Sequence, residues 1–566
     1  MELINIKDLH ISFITNPLEF ALKGIDLRIP EDTIMGLVGE SGSGKTLTAY
    51  SILRLLHRNA VIRSGSIEYY SQGKQVDLLS LEEESIRQIR GREIAMIFQE
   101  AMAALNPIIR CGHQVSEVIN AHHSYSKSLV REMVLESFNR VGLQDPERIF
   151  QSYPFELSGG QVQRVLIAQA IINKPRLIIA DEPTTSLDVN MQRKVIELLK
   201  NIQNETACSI LFISHDLGLI RELCDQVSVM HHGVIVESDS AANIYQHAQN
   251  PYTRSLMLCK PPLNQKVKKL LTIDDLSAHS SNKQRFEAIK QEEIASRMQW
   301  IRQQETILEV NNLQVDYHKK SILGWGKSKI FNAVSNVSFK LNSGEILGVV
   351  GESGSGKSSI GKSIVRLMKP TGGSIVYQGK DLAQISEYKL KPLRKEIQMV
   401  FQDPYSSLNP RQTVGQAIQE PMEIHRMFEN PKQRKEKVEE LLIAVGLKPE
   451  YFNRYPHQFS GGQRQRICIA RALSVQPKLL VCDEPVSALD VSVQAQILNL
   501  FKELQEVFQL SYLFISHDLA GVHFMADRII VLQNGRIVEE GWATQLINQP
   551  SNEYTKSLLA AVPKDL

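Results

Sequence analysis

The sequence predicts an α/β protein in which two homologous domains follow one another along one chain. Segments from the first half of the chain recur in the second half. In each half a short apolar strand leads into a Gly-rich loop and then a helix, and a later apolar strand ends in an acidic pair. Apolar strands that alternate with helices in this way predict the α/β class.

Four segments establish the internal repeat. VGESGSGKT at 38–46 returns at 350–358, ELSGGQVQR at 156–164 at 458–466, DEPTTSLDV at 181–189 at 483–491, and LFISHDL at 211–217 at 513–519. The last three recur after 302 residues and the first after 312, so the halves differ by loop-sized changes. Repeats of this length indicate duplicated domains. We predict domains at 1–260 and 306–566, joined by a linker at 261–305.

The linker begins with Lys260-Pro261-Pro262 and contains the polar stretch SAHSSNKQ. Residues 284–304 predict a helix, because Ile294, Met298 and Ile301 recur at helical spacing. We expect a connector helix that lies on the first domain, with a partner-binding element as the alternative.

Composition excludes several classes of protein. The net charge of +2 gives no support for a nucleic-acid-binding tail. The six cysteines are scattered, which argues against a disulfide framework or a zinc site. The charged start MELINIKDLHISF predicts no signal peptide, and without an apolar run of 18 residues the chain is not expected to span a bilayer alone.

The coarse secondary structure is the same in both halves. Strands are predicted at Thr33–Val38 and Ile346–Val350, before each Gly-rich loop, and at Leu177–Ala180 and Leu479–Cys482, before each acidic pair. TLTAYSILRLL and SSIGKSIVRLM are predicted as the helices after the loops. The mostly polar stretches 100–157 and 403–458 predict an inserted helical subdomain.

Both Gly-rich loops fit G-x-x-x-x-G-K-[ST], the pattern that cradles phosphates. Glycines let backbone N–H groups turn inward, and the following helix adds its positive N-terminal end. We expect Lys45 and Lys357 to reach the β- and γ-phosphates, and Thr46 and Ser358 to offer a hydroxyl to Mg²⁺. A Gly-rich turn with a surface lysine is the alternative. The predicted loop contacts are Gly39, Ser41, Gly42, Ser43, Gly44, Lys45, Thr46, Gly351, Ser353, Gly354, Ser355, Gly356, Lys357 and Ser358.

The acidic pairs predict the metal and water sites. Asp181 and Asp483 end apolar strands, where a carboxylate would hold Mg²⁺ through water. Glu182 and Glu484 follow, and each would orient or deprotonate the attacking water. Taken singly, such a pair is more often a strand cap. The repetition at 137 and 127 residues after the loop lysines favours function.

Two further polar residues end strands in each half. His215 and His517 would donate to the γ-phosphate and help hold the water, while Gln99 and Gln402 would contact Mg²⁺ and the water. Without the repeat, each would be interpreted as an ordinary polar strand end. The complete set of predicted metal-site residues is Thr46, Gln99, Asp181, Ser358, Gln402 and Asp483.

LSGGQ at 157–161 and FSGGQ at 459–463 resemble the signature loop of the ATP-binding-cassette (ABC) family. The resemblance implies tandem P-loop NTPase ABC nucleotide-binding domains, each with a RecA-like α/β core, an antiparallel β subdomain and a helical subdomain. It also implies that cassettes meet head to tail, so that each signature covers the ATP on the opposite loop. Ser460, Gly461, Gly462 and Gln463 would then cover ATP on Lys45, and Ser158, Gly159, Gly160 and Gln161 would cover ATP on Lys357. Asp188 and Asp490 match the family loop that links the sites, and Phe13 and Tyr317 match the aromatic that stacks on adenine, a core aromatic being the alternative.

FQEAMAALNP at 98–107, FQDPYSSLNP at 401–410 and NPYTRSL at 250–256 resemble the oligopeptide, dipeptide and nickel importer branch of that family. The fused layout and the ILGWGKSKI stretch resemble the ATPase subunit of Yej-type peptide and microcin C importers, and glutathione-type importers are close relatives. This resemblance implies an ATP-hydrolysing motor on the cytoplasmic side of the inner membrane. Its partners would be two permease subunits and a periplasmic or lipid-anchored solute-binding protein. The cysteine cluster of some dipeptide-importer subunits is missing, so no iron–sulfur centre is predicted.

A soluble tandem-cassette ATPase acting on ribosomes is the main alternative, and the short linker and the importer-like segments speak against it. A DNA-repair cassette protein is disfavoured, because it should carry zinc cysteines or a long coiled coil and neither appears in the sequence. A purely regulatory nucleotide-binding module is also disfavoured, because both acids and both histidines are present. The first half departs from the family pattern at Val162, Ala101 and Ala104, and it ends in VESDS where the second has VEEGW. None of these changes removes a phosphate, metal or base contact, so two hydrolytic sites are predicted, with the equality of their rates left open.

Overall fold

The computed structural model describes residues 2–71, 73–185, 187–273, 275, 286–319, 329–428, 430–487 and 489–562. The chain forms two compact units, and each repeats the same plan. The first unit contains residues 2–187 and 191–257 among those described, and the second contains 188–190, 258–275 and the rest of the described chain from 286 onward. The stretch ILGWGKSKI and the polar stretch SAHSSNKQ lie almost entirely outside the described residues.

The first unit has ten strands and eleven α-helices among its described residues. The strands are β1 (Glu2–Phe13), β2 (Asn16–Pro30), β3 (Ile34–Val38), β4 (Ala60–Ser71), β5 (Lys74–Asp77), β6 (Ile94–Ile97), β7 (Leu177–Asp181), β8 (Ser209–Ser214), β9 (Gln226–His231) and β10 (Val234–Ser240). The helices are α1 (Lys45–Ile52), α2 (Glu83–Ile89), α3 (Ala101–Ala104), α4 (Cys111–Asn120), α5 (Lys127–Arg140), α6 (Pro146–Gln151), α7 (Gly159–Ile171), α8 (Val189–Thr206), α9 (Leu217–Leu223), α10 (Ala241–His247) and α11 (Pro251–Leu258).

The second unit repeats this order after the linker helix α12 (Gln291–Gln303). Its strands are β11 (Thr306–Lys319), β12 (Lys329–Asn342), β13 (Ile346–Val350), β14 (Gly372–Tyr377), β15 (Lys380–Asp381), β16 (Ile397–Val400), β17 (Leu479–Asp483), β18 (Ser511–Ile515), β19 (Arg528–Gln533) and β20 (Arg536–Trp542). Its helices are α13 (Lys357–Ile364), α14 (Glu387–Glu396), α15 (Pro404–Ser407), α16 (Val414–Ile424), α17 (Pro431–Ala444), α18 (Gly461–Leu473), α19 (Val491–Phe508), α20 (Leu519–Met525), α21 (Ala543–Asn548) and α22 (Glu553–Ala561).

Each unit contains one antiparallel and one mostly parallel sheet. The six-stranded sheet of the first unit has the order β10-β9-β3-β8-β7-β6, and that of the second has the corresponding order β20-β19-β13-β18-β17-β16. All neighbours in these sheets are parallel except the hairpins β9–β10 and β19–β20. The central strands β3, β7 and β8 are buried along their whole length, which explains their continuous apolar sequences. The carboxyl ends of parallel strands share one sheet edge, so this order brings their last residues together.

The α/β class, the antiparallel β subdomain and the helical subdomain are confirmed. The four-stranded antiparallel sheets have the orders β2-β1-β4-β5 and β12-β11-β14-β15. Helices α3–α6 and α15–α17 form the two inserted helical regions, and each then leads into the helix at the signature sequence.

The linker helix α12 packs on the second unit, so the expectation that it lies on the first domain is wrong. The Arg297 guanidinium pairs with the Asp527 carboxylate at 3.0 Å and also donates to the Gly344 carbonyl at 2.7 Å. Upstream, the backbone of Leu270 exchanges two hydrogen bonds of 2.9 Å with the Asn499 side chain. The apolar spacing in the sequence indicated a packed face correctly, but periodicity alone carries no information about which domain covers that face.

Among the described residues, no helix combines the length and the apolar character needed to cross a bilayer.

Candidate active sites

The two Gly-rich loops join a buried strand to a helix, as predicted. Gly39 approaches the neighbouring strand so closely that a Cβ there would stand 2.2 Å from the Met230 carbonyl oxygen. Gly351 makes the same approach to the Leu532 carbonyl oxygen, also at 2.2 Å. Glycine is therefore required at the first position of each loop, because any larger residue would displace the loop from the sheet edge.

The loop lysines are folded back onto their own loops. The Lys45 ammonium donates to the carbonyls of Gly39 and Glu40, both at 2.8 Å. The Lys357 ammonium does the same to Gly351 and Glu352, at 2.7 and 2.9 Å. Burial lowers the pKa of Lys357, although the nearby Glu484 carboxylate partly offsets that effect. Both lysines are only 4% exposed, so the surface-lysine alternative is wrong.

Each loop hydroxyl meets the aspartate at the end of the adjacent strand. Thr46 Oγ1 donates to Asp181 Oδ1 at 3.2 Å, and Ser358 Oγ donates to Asp483 Oδ1 at 2.8 Å. Asp181 is fully buried, and burial raises its pKa to about 6. Its second oxygen, Oδ2, is buried and lacks a hydrogen-bond partner in the described part of the chain. A hydroxyl beside such a carboxylate is the donor set that Mg²⁺ takes at nucleotide sites, so these residues fit that ion.

The glutamate after each aspartate is held by the glutamine and the histidine predicted for the same site. Gln99 Nε2 donates to Glu182 Oε2 at 3.0 Å, and His215 Nδ1 lies 3.3 Å from the same oxygen. Thr185 Oγ1 also donates to it, at 2.9 Å. Thr185 is not among the residues predicted from the sequence, because a threonine just past an acidic pair carries no distinguishing signal.

The second half repeats this network. Gln402 Nε2 donates to Glu484 Oε2 at 2.9 Å, and His517 Nδ1 lies 3.1 Å from that oxygen. The Lys357 ammonium lies 3.9 Å from Glu484 Oε1. Side chains separated by more than 80 residues along the sequence thus converge on one carboxylate in each unit.

The histidines keep both glutamates ionised. Burial alone would raise the pKa of Glu182, but the hydrogen bond and positive charge of His215 lower it to about 2. The pKa of Glu484 is likewise lowered by His517 against the effect of burial. In return, the Glu484 carboxylate raises the pKa of His517 although burial opposes this shift. Glu182 and Glu484 are therefore held as carboxylates, each beside a histidine ring nitrogen.

The backbone at each glutamate has an uncommon conformation that directs its side chain. Glu182 has φ of 45° and Glu484 has φ of 47°, in the left-handed region. This turn costs about 1–2 kcal/mol for a residue with a Cβ. Adjacent side chains point to opposite sides of an extended strand. The turn at the glutamate breaks this alternation, so that the aspartate and the glutamate can both face the Gly-rich loop.

The signature residues begin helices α7 and α18. Ser158 Oγ accepts from the Gln161 N–H at 3.4 Å, and Gln161 Oε1 accepts from the Ser158 N–H at 3.0 Å. Ser460 and Gln463 form the same reciprocal cap. A Cβ on Gly159 would meet nothing within 4 Å, so this helix start is open to a ligand. The remaining signature glycines, Gly160, Gly461 and Gly462, follow in the first turn of each helix.

The two predicted adenine-stacking aromatics lie at strand ends of the antiparallel subdomains. Phe13 ends β1 and is 38% exposed, and Tyr317 is 41% exposed. The Tyr317 hydroxyl lies 3.1 Å from Ser359 Oγ, beside the loop helix α13. Their exposure argues against the alternative that they are core aromatics.

The sequence of this chain matches two protein-family models. The model "ABC transporter" matches residues 22–185 and 334–487, and "Oligopeptide/dipeptide transporter, C-terminal region" matches 236–285. A curated "Glutathione import ATP-binding protein GsiA" from Salmonella typhimurium is 42% identical over 96% of this chain and 86% of its own length. The protein of that name from Escherichia coli O6:H1 is 40% identical over 99% of this chain and 90% of its own length.

The repeated loop, acid and signature sites define a nucleotide hydrolase with two cassettes, and the chain belongs to the ABC transporter family of ATP-binding proteins. Its C-terminal region match places it in the oligopeptide/dipeptide branch. It is accordingly an ATPase that uses ATP with Mg²⁺. The resemblance inferred from the signature sequences is confirmed at this level.

Proposed function

We propose that Glu182 and Glu484 direct water at the γ-phosphate in two hydrolytic sites and that the energy powers the uptake of small peptide-like solutes. The chain is the motor subunit of a bacterial ABC importer and acts with integral-membrane permeases and a solute-binding protein. It lies on the cytoplasmic side of the inner membrane as a peripheral protein. The observation that supports the catalytic assignment is the glutamate network, which occurs twice with nearly the same distances.

The network supports a role in orienting water more than in removing its proton. A carboxylate with a pKa of about 2, as at Glu182, is a weak base but a strong hydrogen-bond acceptor at neutral pH. Gln99 and His215 reach Glu182 through Oε2, and fixing Oε2 also fixes the direction of Oε1. We assign Oε1 to the attacking water.

The other residues bind and position the triphosphate. Lys45 and Lys357 would leave their loop carbonyls for the β- and γ-phosphates, and the residues that would hold Mg²⁺ are Thr46, Ser358, Asp181 and Asp483. When bound, this ion neutralises phosphate charge. Gln99 and Gln402 contact the water and the metal site, Phe13 and Tyr317 stack on adenine, and the signature residues contact the γ-phosphate. The signature role rests on the family resemblance of those sequences.

Replacing both glutamates tests the catalytic assignment. Glu182→Gln with Glu484→Gln should lower ATP turnover by at least about 10²-fold and preserve ATP binding, because the amide keeps the shape but accepts less strongly. Phosphate release and equilibrium ATP binding measure the two effects. The matched control is Glu222→Gln, an exposed residue on α9, which should leave both unchanged. Near-normal turnover in the double variant would show that the assignment of water to these residues is wrong.

The solute class rests on the C-terminal region match and on relatives named for glutathione import. Glutathione is a tripeptide, so both point to short peptide-like solutes. The finer assignment to a Yej-type peptide and microcin C importer is part of this proposal, as are cassette boundaries at 1–260 and 306–566. Vesicles containing the chain and its permeases should accumulate labelled short peptides with ATP, and not with the double glutamine variant. Equal uptake with the unmodified chain and with the double glutamine variant would show that ATP hydrolysis by this chain does not drive transport.

A further inference from the structure

A tyrosine hydroxyl contacts each phosphate-binding loop. Tyr252 Oη accepts a hydrogen bond from the Glu40 N–H at 3.1 Å. Tyr554 Oη accepts one from the Glu352 N–H, also at 3.1 Å. Neither tyrosine belongs to the loop, acid, glutamine, histidine or signature sets predicted from the sequence. Both come from the last helix of their unit, α11 or α22.

The contacted residue is the one that organises the resting loop. The Glu40 carbonyl accepts from the Lys45 ammonium at 2.8 Å and from the Ser43 N–H at 3.1 Å. The Glu352 carbonyl accepts from Lys357 at 2.9 Å and from the Ser355 N–H at 3.1 Å. The tyrosine therefore holds the N–H of the same residue whose carbonyl receives the phosphate-binding lysine.

Each tyrosine is itself fixed by a chain of contacts from the edge hairpin of the large sheet. Asn250 Oδ1 accepts from the Tyr252 N–H at 2.9 Å, and the Glu237 carboxylate accepts from the Asn250 N–H at 3.3 Å. In the second unit, Asn552 Oδ1 accepts from the Tyr554 N–H at 2.8 Å.

Glu539 accepts from the Asn552 N–H at 3.3 Å, which completes the match between the units. The arrangement is the same in both halves, in segments whose sequences differ at several positions. Because the halves are duplicated domains, the repetition itself is inherited, but its retention in segments that have diverged is expected of a constraint on the loop.

We propose that Tyr252 and Tyr554 are positioning residues that hold the phosphate-binding loops in the conformation that accepts ATP, through one hydroxyl in each half. They act on the loops through the Glu40 and Glu352 N–H groups. The loop N–H groups bind phosphate only while they converge, and a fixed loop binds without first losing conformational freedom. The C-terminal helix of each cassette is thereby tied to ATP affinity. This inference rests on the nucleotide-binding role of the two loops.

Removing only the hydroxyl tests the proposal. In the full chain, Tyr252→Phe with Tyr554→Phe should raise the KM for ATP about fivefold, the effect of losing about one net hydrogen bond, while kcat stays within about twofold. A fluorescent ATP analogue should lose affinity to the same extent. The control is Tyr245→Phe, on the neighbouring helix α10, which should change neither value because its hydroxyl makes no bond to the loop.

Single-site backgrounds assign each tyrosine to its own loop. With Lys357→Ala, Tyr252→Phe should weaken binding of the analogue and Tyr554→Phe should not, and with Lys45→Ala the pattern should reverse. Melting temperatures measured without and with ATP distinguish a positioning role from a role in folding. In the double phenylalanine variant, we expect a smaller rise in melting temperature on adding ATP than in the unmodified chain, and nearly the same melting temperature without ATP.

Unchanged KM and unchanged analogue affinity in the double phenylalanine variant would overturn the proposal, as would a fall in kcat alone. An equal loss of melting temperature with and without ATP would assign the tyrosines to folding only. Absence of ATP binding in the unmodified chain would instead disprove the nucleotide-binding role of the loops, so the two failures are distinguishable.

Discussion

The short helices that follow Gln99 and Gln402 occupy equivalent places in the two halves, but the structure holds them very differently. In the second half, Asp403 caps α15 by accepting from the N–H groups of Tyr405 and Ser406, at 2.8 and 3.3 Å. The Arg464 guanidinium covers the Tyr405 ring at 3.8 Å and donates to the Pro456 carbonyl at 2.8 Å. The loop is thus tied to the start of the signature helix.

The first half lacks these ties among its described residues. Glu100 stands at the cap of α3 and makes no side-chain capping bond. The residue in the place of Arg464 is Val162, which is fully buried, and Met102 stands in the place of Tyr405 and is 51% exposed. The glutamate networks meanwhile agree to within about 0.2 Å in their glutamine and histidine distances.

The contacts around each glutamate and the contacts of the short helix after each glutamine are thus under different constraints. A carboxylate that must orient water tolerates little displacement, since small shifts in a reacting geometry cost large factors in rate. The short helix after the glutamine contacts its unit through a cap and a stacked arginine in the second half, and it lacks a side-chain cap in the described part of the first. The two halves therefore differ at this helix while their glutamate networks agree.

The largest effect is expected from alanine at the first glycine of each phosphate-binding loop, and it tests whether the two loops are equivalent. Gly39→Ala and Gly351→Ala each push a methyl group toward a backbone carbonyl oxygen at 2.2 Å. Each should lower the free energy of unfolding by about 1–3 kcal/mol and slow hydrolysis by about 10²-fold. Urea unfolding and phosphate release provide the measurements.

The matched controls for that test are Gly42→Ala and Gly354→Ala, because a Cβ at either position meets nothing within 4 Å. Each should lower the free energy of unfolding only by the left-handed backbone penalty of about 1–2 kcal/mol. Because both glycines are predicted loop contacts, they serve as controls for stability and not for hydrolysis. Tolerance of alanine at Gly39 but not at Gly351 would break the equivalence of the loops.

An intermediate effect is expected from making the second half resemble the first. Arg464→Val removes the guanidinium from Tyr405 and leaves the Pro456 carbonyl without its donor, which should cost about 1–3 kcal/mol. Backbone amides in α15 should exchange hydrogen faster, as measured by mass spectrometry.

Arg464→Lys keeps the charge but not the planar fork, and it should fall between wild type and Arg464→Val. Unchanged exchange in both variants would show that the arginine does not stiffen the loop and that the two halves are held alike.

The smallest expected effect is on how stability depends on pH. It distinguishes the two halves because a histidine stacks on Tyr252 and a glutamine stands in its place in the second half. His231 stacks on Tyr252 with ring centroids 3.9 Å apart, and Gln533 stands in its place in the second half. Burial, helped by the charge of His232, lowers the pKa of His231. Below pH 6.5 the unfolded chain therefore binds a proton that the folded chain resists, so stability falls as pH drops from 6.5 toward the lowered pKa.

His231→Gln should remove this loss, and Gln533→His should install one in the second half. Melting temperatures from pH 5.5 to 7.5 measure the slopes, with the difference between variant and wild type as the readout. A slope unaffected by His231→Gln would show that the histidine does not titrate in this range.

Local features of the site were predictable because their signals are local. A strand, a Gly-rich turn and a helix follow one another within about twenty residues around Lys45. Hydrophobic runs also predict the strand that ends at Asp181 and the strand that ends at Ser214, just before His215. A single histidine after LFIS would be weak evidence for a functional site, but its occurrence in both halves made that prediction possible. Relatives 40–42% identical over nearly the whole chain support the same reading of family.

Contacts between distant segments were not predictable in this way. The sequence could not indicate that Tyr252 reaches Glu40, 212 residues earlier, because a tyrosine at a helix start has many possible neighbours. The linker helix was expected on the wrong domain for the same reason. Thr185 joins the glutamate only because the backbone turns at Glu182.

The sequence by itself determined the duplication, the α/β class, the phosphate-binding loops and the acids, because each depends on residue type and short-range spacing. Only the tertiary structure decided that Gln99 and His215 meet one Glu182 oxygen, that tyrosine hydroxyls contact the loops, and that an arginine covers the ring of Tyr405 in the second half, where the first half has Val162. The physical reason is that strand order in a sheet, and not distance along the chain, sets which strand ends become neighbours.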